Sequence, residues 1–323
     1  MKKVKNISNK KTSVRANANA GRCISCSNVV WSWAIYVYWF IILFFIAATF
    51  YIIGRGQEFL HPAPRNIVVT EETLVQTNAL FDSAKEKIIS GDMEGAVADL
   101  TNAIDVDANT NVYALRGEVY MQMGDYEKAL NDFNAAIAND GMNAVAFYDR
   151  YLLNTRLENY EAAMNDINNT LAAQSMKPSD VLAMRDLYAK RGQLNLWMKN
   201  WQGAIADYTN SLARAEGSVS ANVYAERAEA FTAVGDYENA VNDYTSAVRV
   251  ISEQIQAAPT QEMRESQSSN AMSYFEKSAA LNLKLGRTDV AKNDLESAHA
   301  IAVALNDSES MERIQNLING LNN

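Results

Sequence analysis

Three sets of residues have types and spacings that could do chemistry. Cys23 and Cys26 form a CxxC pair, the spacing of half a zinc site or of a redox dithiol. Zinc needs four ligands and no other Cys or His stands near the pair in sequence, so it reads as two ordinary thiols. They are also the only cysteines, which excludes a disulfide scaffold and leaves no thiol nucleophile after Cys26. His61 and His299 are the only histidines, one in a linker and one in a helical pattern, and neither has the company of a catalytic imidazole. The run Asp105-Val-Asp107-Ala-Asn109-Thr-Asn111 sets oxygen ligands on alternate residues, as a calcium loop begins. It fails at the demanding positions, with Thr110 where the turn glycine belongs and Arg116 where a bidentate Glu belongs, and Asx capping of the next helix explains it instead. No GxxxxGK, GxSxG, HExxH or dinucleotide fingerprint is present. The carboxylates read as solvated outer faces of helices, so the expectation is a protein that is not an enzyme and uses no cofactor or metal.

Charge is distributed unevenly along the 323 residues. Before Gly54 stand seven basic residues (Lys2, Lys3, Lys5, Lys10, Lys11, Arg15, Arg22) and no acidic one; the remainder carries a net charge of -16. Such a field repels phosphate backbones, so no nucleic-acid partner is expected. Residues 29–53 form an almost continuous apolar and aromatic run of 25 residues. As a helix it would rise about 37 Å at roughly 1.5 Å per residue, enough to cross a bilayer core. It is too long for the core of a cleaved signal. These features predict a basic cytoplasmic segment (1–28), a transmembrane helix in contact with lipid (29–53) and a linker (54–72). By the positive-inside rule the N-terminus would be cytoplasmic and the rest extracytoplasmic, at the inner membrane of a bacterium.

Beyond the linker a turn phrase recurs. Its strong copies run from Gly124 to Ala129, Glu158 to Ala163 and Gly235 to Ala240; weaker ones end at Ala96, Ala204 and Ala291. Twelve residues before each alanine stand Ala84, Gly117, Tyr151, Gly192, Ala228 and Ala279, small in five of six. Four after it stand Leu100, Phe133, Ile167, Tyr208, Tyr244 and Leu295, all bulky. Spacings of three, four and seven are helical, so each unit reads as two amphipathic helices joined by the turn. One pair cannot bury its own apolar face, and the pairs must stack around a continuous core.

The pattern resembles the tetratricopeptide repeat, a helix-turn-helix unit of about 34 residues. The alanines are separated by 33, 34, 41, 36 and 51 residues, which implies insertions or lengthened helices near 176–184 and 250–270. The fold expected is all-α: a solenoid of about six repeats over 73–306 and a C-terminal capping helix within 307–323, preceded by the transmembrane helix.

The resemblance implies a concave groove, lined by the first helix of each pair, that receives a peptide or a partner's helix. Register transfer gives Asn111, Glu118, Gln122, Tyr148, Leu152, Arg156, Asp186, Gln193, Trp197, Asn222 and Glu229 as groove candidates. The function expected is a membrane-anchored periplasmic scaffold or chaperone-like adaptor. The alternatives are a homo-oligomeric structural element of the cell envelope, with Tyr148 and Trp197 between copies, and a secreted repeat protein.

Overall fold

The computed structural model describes residues 70–176, 183–214 and 220–321. The sequence features at Cys23/Cys26, 29–53 and His61 lie outside the described residues. Among the described residues thirteen α-helices follow one another: α1 (Glu71–Ser90), α2 (Met93–Val106), α3 (Thr110–Met123), α4 (Tyr126–Asn139), α5 (Ala144–Arg156), α6 (Tyr160–Met176), α7 (Met184–Trp197), α8 (Trp201–Ala213), α9 (Ala221–Ala233), α10 (Tyr237–Ala257), α11 (Gln261–Lys284), α12 (Thr288–Ala304) and α13 (Ser308–Leu321). Among the described residues there is no strand. The inner-membrane location is corrected: no described helix is long and apolar enough to cross a membrane.

The turn phrase folds the same way six times. Gly91, Gly124, Gly235 and Gly286 sit at φ between 74° and 84°, and Glu158 and Lys199 take the equivalent place at 57° and 58°. The next residue then donates its N–H to a carbonyl five residues back, as Asp92 does to Lys87, Asp125 to Tyr120, Asn159 to Asn154, Asn200 to Asn195, Asp236 to Phe231 and Arg287 to Asn282, all at 2.8–2.9 Å. This satisfies the end of the first helix. At four of the turns the same residue caps the second helix, Asp92 Oδ1 accepting from the Gly95 N–H at 2.9 Å and Asp125, Asn200 and Asp236 accepting likewise.

Behind each turn the phrase's alanine is completely buried. Helices close on the small residue twelve places earlier. A Cβ built on Gly117 would come within 2.7 Å of the Phe133 ring, and one on Gly192 within 2.9 Å of Tyr208, so these rings occupy the space a side chain would need. In the third pair Tyr151 fills the small position and packs in one cluster with Ala163 and Ile167. The 51-residue spacing is taken up by helix length, since α10 has 21 residues and α11 has 24. On α13, Ile314 and Ile318 complete the apolar cluster of α11 and α12.

The carboxylates correct the sequence reading: a set of them is buried, not solvated. Asp132, Asp166, Asp207 and Asp243, each three residues after the turn alanine, are at most 5% exposed. Each binds the arginine sixteen residues earlier on its partner helix: Arg116, Arg150, Arg191 and Arg227, through two guanidinium nitrogens. The third nitrogen of each arginine reaches back to the preceding pair, at Thr101, Asn134, Asn168 and Thr209, at 2.5–3.0 Å. Each fork therefore holds a hairpin closed and ties it to its predecessor. In the first and sixth pairs a serine replaces the arginine, Ser83 donating to Asp99 at 2.6 Å and Ser278 to Asp294 at 2.8 Å.

Candidate functional site

Successive first helices α7, α9 and α11 border a cavity of about 620 Å³. Leu196, Trp197 and Trp201 form one wall, Ala233, Ala280 and Leu281 another, and Gln193, Glu226, Glu229, Tyr244, Lys277 and Lys284 supply the polar groups. Trp197 stands at the end of α7, 46% exposed, its ring 5.7 Å from that of Tyr160. The cavity wall is thus mainly apolar, with a few polar groups placed against it, which is the usual make-up of a ligand site.

The polar groups are held by one another. Glu226 accepts from the Tyr208 hydroxyl at 2.7 Å and from the Gln193 amide at 3.4 Å. Burial pushes its carboxyl above the ordinary range, against the pull of those two donors. Glu229 accepts from Lys277 at 2.5 Å. Burial raises the Tyr244 hydroxyl as well, with the Glu229 charge acting in the same direction. Tyr244 stacks on Tyr274 at 6.2 Å, and Tyr274 donates to Asn222 at 3.0 Å. Lys284 lies 4.8 Å over the Tyr237 ring. Two carboxylates and two ammonium groups thus border the cavity.

Of the residues singled out by register, Gln193, Trp197 and Glu229 line this cavity and Asn222 holds Tyr274 beside it. Tyr148 and Leu152 are half-buried and pack on the core of the third and fourth pairs. Asn111, Gln122, Arg156 and Asp186 are exposed and outside the cavity. Glu118 lies at a different seam, hydrogen-bonded to Asp149 of α5. Register transfer missed Glu226, Tyr244, Lys277 and Lys284. The signal for the two lysines was present, because they stand fourteen and seven residues before Ala291, the spacing that relates Glu226 and Ala233 to Ala240.

Among the described residues no group of three or more His, Cys, Asp or Glu could hold a metal ion. Asn109 caps α3, accepting from the Asn111 N–H at 2.9 Å, and His299 is half-buried on α12.

The helices and their turns define an all-helical solenoid of the tetratricopeptide-repeat type. Residues 110–143, which are α3, α4 and the turns around them, match the tetratricopeptide repeat family model. Among solved structures, YrrB, described as a tetratricopeptide repeat protein with an unusual peptide-binding site, is similar at 14% identity and a TM-score of 0.52, over 67% of this chain and 97% of that one. MamA is similar at 20% identity and a TM-score of 0.49, over 59% and 98%. PilF of Pseudomonas aeruginosa is similar at 15% identity and 0.49, over 76% and 99%. No curated protein matches the sequence.

Proposed function

We propose that the protein is an interaction scaffold that takes a polypeptide segment into the cavity between α7, α9 and α11. The cavity itself carries the reading: 620 Å³ with walls of Leu196, Trp197, Trp201 and Leu281 is enough for more than one large apolar side chain. Aromatic anchors of this kind dominate binding energy where proteins meet, and the surrounding amide, carboxylate and ammonium groups match a peptide backbone's need for hydrogen bonds. A peptide-binding site is also what the YrrB structure is described as having, on a similar fold. Binding of a polypeptide segment is the function the geometry supports best.

Photocrosslinking tests it. A photoreactive amino acid in place of Trp197, in the full chain in its native cells, is expected to yield a discrete adduct with a polypeptide, lost when Ala280→Glu puts a charge at an exposed position of the opposite wall. Adducts that are unchanged by Ala280→Glu, or that form equally from a photoreactive residue at exposed Gln122, would overturn the assignment.

A further inference from the structure

Neighbouring first helices meet by a fixed rule. The residue eleven places before the turn alanine of one pair faces the residue fourteen places before the alanine of the next. At the α9/α11 seam this brings Lys277 onto Glu229, and at the α7/α9 seam Gln193 onto Glu226, so each carboxylate receives a donor. At the α3/α5 seam the same two positions hold Glu118 and Asp149, two acids hydrogen-bonded to each other. Asp149 is 7% exposed, and its buried Oδ2 has no donor besides the carboxyl of Glu118. Glu118 is only half-buried, so the pair can be reached from solvent.

The two neighbouring arginines are already engaged. Arg150, the next residue on α5, is taken by Asp166 and Asn134; Arg116 on α3 is taken by Asp132 and Thr101. Lys190 of α7 lies 5.9 Å over the Tyr148 ring. Asp166 of α6 and Asp132 of α4 are spent on their arginines. The seam therefore lacks the one group that its two counterparts possess.

We propose that Glu118 and Asp149 form a receptor for a lysine or arginine side chain of a polypeptide partner, which supplies the missing donor and takes the place of the proton the two acids share. The proposal rests on the scaffold reading only in making the cation part of a polypeptide. Burial, reinforced by the Glu118 charge, pushes Asp149 up to about 8, so the pair keeps its proton at neutral pH. An entering ammonium or guanidinium stabilises both carboxylates as anions and the proton leaves to solvent. Affinity then rises by about tenfold per pH unit while the proton competes, and levels once the pair is ionised.

Infrared difference spectroscopy on the full chain at neutral pH reads the proton directly, through the C=O stretch of a protonated carboxyl. The probes are the capped tripeptides Ac-Gly-Lys-Gly-NH2 and Ac-Gly-Arg-Gly-NH2, with Ac-Gly-norleucine-Gly-NH2 as the neutral control. The cationic probes are expected to remove most of the band that Asp149→Asn removes, while the control leaves it intact. Glu118→Gln, which copies the amide-to-acid seam of Gln193 and Glu226, is expected to keep the helical spectrum, lower the pH at which the band disappears because the second charge is gone while burial remains, and weaken the response to lysine at least tenfold. Equal responses to lysine and norleucine, no response to any probe, or stronger displacement by calcium than by the tripeptides would each overturn the proposal. None of these readouts involves the cavity at Trp197, so failure here and failure of the scaffold reading are separable.

Discussion

The four arginine forks are chemically alike, yet they should not be equally costly to break. Asp132 receives hydrogen bonds from Arg116 alone, both at 2.8 Å. Asp166 receives them from Arg150 and also from the Asn154 amide at 2.8 Å. Replacing either arginine with methionine keeps much of the stem's packing and removes the charge. Arg116→Met leaves the Asp132 carboxyl buried and without a donor, for which about 3–5 kcal/mol is the usual loss. Arg150→Met leaves Asp166 one charge-assisted bond, itself worth about 1.5–3 kcal/mol, so the loss should fall to about 1–3 kcal/mol. The side chains are at most 21% exposed in either pair, so solvent screening erases little of the difference. Urea unfolding followed by far-UV circular dichroism measures both, and hydrogen exchange of the α4 and α6 amides localises the loss, since repeat arrays need not unfold all at once. Adding Asp132→Leu to Arg116→Met should restore most of the stability, because an apolar pair carries no desolvation cost. If the two methionine variants lose the same free energy within about 0.5 kcal/mol, the link between retained donors and cost is wrong.

Three further outcomes follow from positions described above. Gly192→Ala should cost about 1–3 kcal/mol in a thermal melt, since its Cβ would sit 2.9 Å from the Tyr208 ring, and no loss would show that the ring yields freely. Glu158→Gly and Lys199→Gly should each stabilise by about 0.5 kcal/mol, because both turns hold an L side chain at positive φ, whereas Gly124→Ala should destabilise by about 1 kcal/mol. Asp149 binds a proton in the folded state up to about pH 8 that an unfolded Asp releases near pH 4, so the pair's stabilising effect is full below pH 4 and declines by up to about 1.4 kcal/mol per unit between those values. Glu118→Gln should shorten that decline at its upper end in denaturation curves taken from pH 5 to 8, since burial still raises Asp149 but the Glu118 charge no longer does, and an unchanged curve would count against the shared proton.

The hairpins were legible in the sequence because their determinants are local. Each turn is marked by its own phrase, and even Glu158 and Lys199 could be aligned although neither is glycine. The buried forks were not recognised, although aspartate stands three residues after the alanine in all six units. Residue type does not report burial: Asp92 is an exposed cap while Asp132, at another point of the same unit, is an interior acceptor. Reading every carboxylate as solvated merged the two roles. The cavity was half legible for a related reason. Gln193, Trp197 and Glu229 follow from the regular spacing, but the 51-residue interval interrupts it, and α11 contributes Lys277 and Lys284 from beyond the break.

The backward reach of each arginine bears on how such a chain can gain or lose length. Thr101, Asn134, Asn168 and Thr209 all present a neutral oxygen to the incoming guanidinium. Any unit's arginine can therefore dock on any other unit's acceptor. Excision of residues 110–143 would bring Arg150 against Thr101, and duplication of the same segment would bring a second Arg116 against Asn134. Because this linkage between modules is generic, copy number is free to drift while each junction that an arginine closes stays sealed.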